Sequence, residues 1–212
     1  MSEEKARRVA GTGTDAVVVG GTQGVTREKV LSLLSALEKE GVPVVVEPSN
    51  PASVVHTGNG LLVPTVLNSG KVDWVVGIQK EWARIDEDID WSRVFAEGYV
   101  VMNPESAVGR LTDAKTDISP EEAAAYATVA DRFFDLPVVY VEYSGTFGEM
   151  CVVEEVADAV GDATVFYGGG VNSYERAHEA AEHADCVVVG DAAHQKGVET
   201  LRETVRGVRD AR

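Results

Sequence analysis

Short, nearly continuous apolar runs alternate with amphipathic stretches along the whole chain. The runs Asp15–Gly20, Pro43–Glu47, Leu61–Pro64, Tyr99–Asn103, Val138–Glu142, Thr164–Tyr167 and Cys186–Gly190 are rich in β-branched residues. Their lack of polar alternation predicts parallel strands covered on both faces. Between them, Val30, Leu33, Leu34 and Leu37 follow the i, i+3, i+4, i+7 spacing of a helix face, and Gly41 stops that helix. Ser119-Pro120-Glu121-Glu122 combines an N-cap, a first-turn proline and a capping-box Glu, followed by the stripe Tyr126, Ala130, Phe133 and Phe134. Asn172 or Ser173 caps a further helix, Val198, Leu201, Val205 and Val208 mark the last one, and residues 2–10 also read as helical.

The run Asp15-Ala-Val-Val-Val-Gly20 recurs as Asp185-Cys-Val-Val-Val-Gly190, with a weaker copy at Asp73-Trp-Val-Val-Gly77. Repeated βα units predict an α/β fold, a (β/α)8 barrel with parallel strands, with a doubly wound sheet as the alternative. Chance likeness between valine-rich strands also accounts for the echo. Seven strands are visible where a closed barrel needs eight, and the chain opens on a helix, so the first strand is expected to be missing. No linker divides residues 1–212, which predicts a single domain.

Composition narrows the partners. Of 212 residues, 35 are acidic and 19 basic, a formal net charge of −16. Nucleic acid is excluded as a partner, because phosphate backbones need a basic face. The excess fits either a solvated acidic surface or adaptation to high salt, where screening shortens self-repulsion, and the halophilic reading is favoured. No apolar run approaches the ~20 residues of a membrane span. The N-terminal segment lacks an apolar signal region, and Cys151 and Cys186 form no disulfide framework, so a cytoplasmic location is expected.

The strongest chemical signal is Phe166-Tyr167-Gly168-Gly169-Gly170-Val171-Asn172-Ser173, with Val189-Gly190-Asp191 beyond it. Glycines at strand ends expose backbone N–H groups to an anion, and in barrels the last two strand ends commonly hold phosphate. In Tyr140-Val141-Glu142-Tyr143-Ser144-Gly145, alternation puts Tyr140 and Glu142 on one face and Val141 on the other. Glu142 can take a hydroxyl proton there, or pair with an Arg as a buried structural acid. Gly20-Gly21-Thr22-Gln23 offers a hydroxyl to Mg²⁺ or phosphate, though helix entry explains it equally well. Glu47-Pro48-Ser49-Asn50-Pro51 and Pro64-Thr65-Val66-Leu67-Asn68-Ser69 suit the wall of a long cleft. Trp74 and Trp82 read as packing residues, although Trp82 can also cap an apolar channel, and the four His show no metal spacing.

Taken in order with Val-Glu-Pro-Ser-Asn-Pro and Val-Pro-Thr-Val-Leu-Asn-Ser, these motifs resemble the geranylgeranylglyceryl phosphate synthase family from Thr12 to the C-terminus. The resemblance implies a modified TIM barrel and the transfer of a geranylgeranyl group from geranylgeranyl diphosphate to the 3-hydroxyl of sn-glycerol 1-phosphate, with Mg²⁺. It implies Glu142 as the catalytic base and Tyr140, Val141, Glu142, Tyr143, Ser144, Gly145, Gly169, Gly170, Gly190 and Asp191 as substrate-binding residues. Thr22 takes the magnesium position. A dimer is expected, as is transient contact with a membrane surface. The family's opening strand with Lys-x-Asp-Pro has no counterpart here, which points to a late-assigned start or a degenerate copy. The alternatives are a non-catalytic phosphate-binding remnant of the family or another phosphate-binding barrel enzyme.

Overall fold

The structure is a computed structural model and describes residues 1–21 and 24–212, leaving out the side chain of Gln195. Among the described residues, seven strands form one parallel sheet in strictly sequential order. They are β1 (Val17–Gly20), β2 (Val44–Glu47), β3 (Gly60–Val66), β4 (Val94–Val101), β5 (Val138–Glu142), β6 (Thr164–Gly168) and β7 (Cys186–Val188). The sheet curls into an open barrel, and β7 shares no ladder with β1. Each strand core matches a predicted run. However, β4 begins at Val94 rather than Tyr99, and the Asp73–Gly77 echo is a π turn, not a strand.

The helices α1 (Glu3–Ala10), α2 (Arg27–Leu37), α3 (Ile78–Ile85), α4 (Ala107–Thr112), α5 (Pro120–Thr128), α6 (Met150–Ala159), α7 (Tyr174–Ala181), α8 (Asp191–Gln195) and α9 (Val198–Asp210) lie before, between and after the strands. Their starts follow the local chemistry. Thr26 caps α2, Ser119 and Glu122 form the complete capping box of α5, and Ser173 rather than Asn172 caps α7.

Strand alternation divides the sheet into two faces. Outward residues such as Val44, Val46, Val139, Val141, Val165 and Tyr167 pack under the helices. Val46, Val139 and Val141 have no exposed surface, and each buried valine contributes about 1.5 kcal/mol or more. Inward residues Val66, Tyr99, Val101 and Tyr140 form a separate cluster in the barrel lumen, with Phe166 and Val188 against it. The buried face of α5 is Ala123 and Ala127, continued by Ala130. Phe133 and Phe134 of the predicted stripe are 79% and 47% exposed, because a π turn at Val129–Phe133 rotates them away from the core.

Asp131 shows how polar groups fix the connections. It is buried, and its carboxylate accepts the N–H groups of Gly161, Asp162 and Ala163 at 3.0, 3.1 and 2.9 Å, which sets the entry to β6. Between β7 and β1, α1 and α9 roof the open seam. Lys5 reaches from α1 to the His194 carbonyl at 2.7 Å, and Arg209 of α9 reaches the Gly13 carbonyl at 2.7 Å.

Candidate active site

A cavity of about 700 Å³ fills the lumen and runs into the seam. Its polar part lies at the C-terminal strand ends, where Glu47, Tyr140, Glu142, Ser144, Gly170 and Asp191 face it. Both sequence-predicted cleft segments contribute walls, through Pro48–Pro51 and through Pro64 and Val66. Trp74, Ile78 and Trp82 make an apolar side, with Trp82 only 4% exposed.

Glu142 is the last residue of β5 and is 4% exposed. Its Oε1 accepts the Ser144 N–H at 2.8 Å, so the chain turns at Ser144 under its own carboxylate. Burial raises its pKa, hydrogen bonding from Ser144 and Tyr140 opposes that, and the charge of Asp191 adds to it. No salt bridge joins it to Arg or Lys among the described residues.

Tyr140 lies inward beside Glu142, and its hydroxyl occupies the space a side chain at position 168 would need, so only Gly168 fits there. Val141 and Tyr143, also expected at the substrate, turn their side chains into the core beneath the helices. The two-residue period of the strand imposes this, and only their backbones face the lumen side. The loop after β5 is tied on both flanks. Asn103 donates to the Ser144 carbonyl at 2.6 Å, and the Tyr167 hydroxyl accepts the Gly148 N–H at 2.8 Å while donating to the Gly169 carbonyl at 3.0 Å. Gly170 adopts φ +56°, and a Cβ on it would strike the backbone of Thr146 and Phe147. That glycine is therefore required by the packing of two loops, and not only by a ligand. Gly190 opens α8 with nothing within 4 Å of its Cβ position, and Asp191 is exposed.

The lumen holds two further acids that motif reading passed over as a group. Glu47 accepts the Tyr99 hydroxyl at 3.1 Å. Burial pushes its pKa to about 7, the Tyr99 bond pulling against it and the charge of Glu142 adding to it. Glu97, inward on β4, has no exposed surface, and neither carboxylate oxygen finds a hydrogen-bond partner. Burial first, then the charges of Glu47 and Glu142, push its pKa well above the carboxylate range.

Thr22 lies outside the described residues. Among those described, no group of three or more His, Cys, Asp or Glu is placed to hold a metal. Magnesium binds through several hard oxygen donors, and among the described residues that set is not assembled. Two cationic residues, Arg176 and Lys196, line a neighbouring cavity with Gly145, Gly170 and Asp191. Their positions on α7 and after α8 read in the sequence as ordinary surface charge.

Comparison with known proteins gives the family and the fold. A geranylgeranylglyceryl phosphate synthase of Halobacterium salinarum is 51% identical over 205 residues, covering 96% of this chain and 86% of the relative. One of Natronomonas pharaonis is 48% identical over 205 residues, covering 96% and 87%. A crystal structure of (S)-3-O-geranylgeranylglyceryl phosphate synthase from Thermoplasma acidophilum, in complex with sn-glycerol-1-phosphate, superposes with a TM-score of 0.86 at 26% identity. That match covers 98% of this chain and 87% of the other, so the open barrel is a modified TIM barrel lacking its first strand. The PcrB family model matches residues 1–208, and with relatives 51% and 48% identical over 205 residues the chain belongs to the PcrB family.

Proposed function

We propose that this chain is a prenyltransferase that moves a geranylgeranyl group from geranylgeranyl diphosphate to the 3-hydroxyl of sn-glycerol 1-phosphate, making the first ether bond of an archaeal-type membrane lipid. The observation that carries this reading is Glu142, a buried carboxylate aimed into the cavity beside the glycine-lined ends of β6 and β7. The acceptor's phosphate sits at Gly145, Gly169, Gly170, Gly190 and Asp191, with backbone N–H groups as donors. Its hydroxyl end then lies toward Tyr140 and Glu142. Glu142 takes the hydroxyl proton, the oxygen bonds to C1 of the prenyl chain, and the bond from C1 to the diphosphate oxygen breaks. The raised pKa of Glu142 brings it nearer to neutral pH, which suits a general base. The apolar side at Trp74, Ile78 and Trp82 takes the prenyl chain, with Trp82 closing it off.

Magnesium enters only through the family resemblance, as counter-ion of the diphosphate; the Thr22 named for it lies outside the described residues, and no step above passes through it. A dimer is supported by the exposed apolar side chains Val129, Phe133 and Phe134. Val72 and Val76, 73% and 56% exposed on the turn beside the apolar wall, support transient contact with a membrane surface. No helix among the described residues is long and apolar enough to cross a membrane. A cytoplasmic location fits the unpaired thiols Cys151 and Cys186, and the charge of −16 fits work at high salt.

The test pairs calorimetric titration of sn-glycerol 1-phosphate with an assay of radiolabelled ether lipid. The wild-type chain is expected to bind and to transfer. Glu142→Gln should keep binding within a few-fold while kcat falls by about 10²–10⁴. Binding without transfer in the wild type would make the protein a phosphate-binding remnant, and an unchanged kcat in Glu142→Gln would move the base elsewhere.

A further inference from the structure

We propose that Arg176 and Lys196 form a cationic wall that receives the phosphate of the acceptor substrate, an assignment that rests on the glycerol-phosphate reading above. A second cavity, of about 440 Å³, lies at the ends of β6 and β7 and meets the main one at Gly170 and Asp191. Gly145 and Gly170 line one part of it, and Arg176 and Lys196 supply its positive charge. A phosphate over Gly170 therefore has Glu142 on the lumen side and these two cations on the other.

Arg176 is fixed in that place. Its Nη1 donates to the Gly170 carbonyl at 3.0 Å, and its guanidinium carbon lies 5.1 Å from the centroid of the Phe147 ring. The cation is thus anchored to the two loops whose backbones line the phosphate position. Neither Arg176 nor Lys196 forms a salt bridge with a described residue. In a chain with 35 acidic residues to 19 basic ones, two cations that line one cavity and make no salt bridge with a described residue outnumber the single acid there, Asp191, and call for an anion.

Charge balance gives the reason. A phosphate dianion at this end meets Asp191 and, through the lumen, Glu142 and the raised acid Glu47. Backbone N–H groups offer partial charges only, whereas Arg and Lys each bring a full one and make the stronger, charge-assisted hydrogen bonds. Arg176 and Lys196 therefore set the affinity for the phosphate group and leave the proton transfer at Glu142 alone.

The experiment measures sn-glycerol 1-phosphate binding and steady-state kinetics in Arg176→Gln, Lys196→Gln and Arg176→Lys, at low salt and in 2 M KCl, with melting temperature as the folding control. Each charge removal is expected to weaken binding and raise KM roughly tenfold at low salt, with kcat within about twofold. Arg176→Lys should restore most of the loss, and the wild-type advantage should shrink in 2 M KCl, where screening acts over about 2 Å. Should Arg176→Gln fail to fold, Lys196→Gln carries the test. Equal low-salt affinities in wild type and both Gln variants would overturn the assignment while leaving the glycerol-phosphate reading standing. A wild type that binds no sn-glycerol 1-phosphate would instead remove the reading beneath it.

Discussion

Tyr99 and Tyr140 stack on adjacent strands with ring centroids 4.4 Å apart and planes 12° apart. The Tyr99 hydroxyl then donates to Glu47 at 3.1 Å, so one aromatic pair links the acid of β2 to the strand that carries Glu142. Tyr99→Phe keeps the stack and deletes the bond. Because that bond pulls the Glu47 pKa down against burial, its titration midpoint should rise above the present value of about 7. A carbon-13 carboxyl titration checks this, and a midpoint that stays or falls would show the bond to be inert. For a carboxyl raised in the folded state, stability is full below the unfolded pKa and is lost as pH climbs through the folded one. In the variant that loss should extend to higher pH.

Glu97→Gln should stabilise the protein at alkaline pH. Burial and the neighbouring charges of Glu47 and Glu142 raise the pKa of the wild-type acid, so folding takes up a proton as pH rises above the unfolded carboxylate range. Gln does not titrate. The two proteins should melt alike near pH 4, and the variant should gain up to about 1.4 kcal/mol per pH unit above the unfolded pKa. Parallel melting curves from pH 4 to 8 would contradict a protonated Glu97.

Gly170→Ala and Gly190→Ala should separate sharply. Position 170 is left-handed at φ +56° and pressed against the Thr146–Phe147 backbone, whereas position 190 has open space around its Cβ direction. The first substitution should cost about 1–2 kcal/mol in backbone strain alone and distort the phosphate loop. The second should leave the melting temperature unchanged. Thermal melts of the two side by side decide the matter, and equal melting would mean that the loop after β5 gives way.

Phe133→Ser should turn a dimer into a monomer with little change in the melting temperature of the subunit, because the ring is 79% exposed in the single chain. Light scattering after size exclusion reads the mass. A wild-type monomer, or a variant that stays dimeric, would place the contact elsewhere.

The sequence was most legible where one pressure acted alone. β5 was read to the residue because Val138–Glu142 is an unbroken run buried on both faces. β4 was read short because two requirements interrupt its apolar pattern. Glu97 points into the lumen, and Gly98 makes room for Ala130, Leu67 and Leu136, whose atoms come within 3.0–3.2 Å of its Cβ direction. Asp73–Gly77 carries the valines of a strand, but tertiary packing makes it a turn leading into α3. Glu142 and the glycines stood out because their chemistry is unusual at strand ends. The Tyr99–Glu47 bond joins residues 52 positions apart, and Arg176 and Lys196 resemble any other surface charge until the loops bring them to one cavity.

The sequential strand order has a kinetic consequence. Every ladder joins a strand to its neighbour in the chain, and no sheet pairing waits for the first strand to meet the last. Each pairing therefore spans only one βα unit, and assembly can follow the direction of synthesis, each unit docking on the one before it. What brings the two ends together is helical, through α1, α9 and bonds such as Lys5 to His194 and Arg209 to Gly13. That junction should be the first cooperative unit to open, with hydrogen exchange in β1 and β7 running ahead of β4 and β5 while the rest of the molecule stays folded.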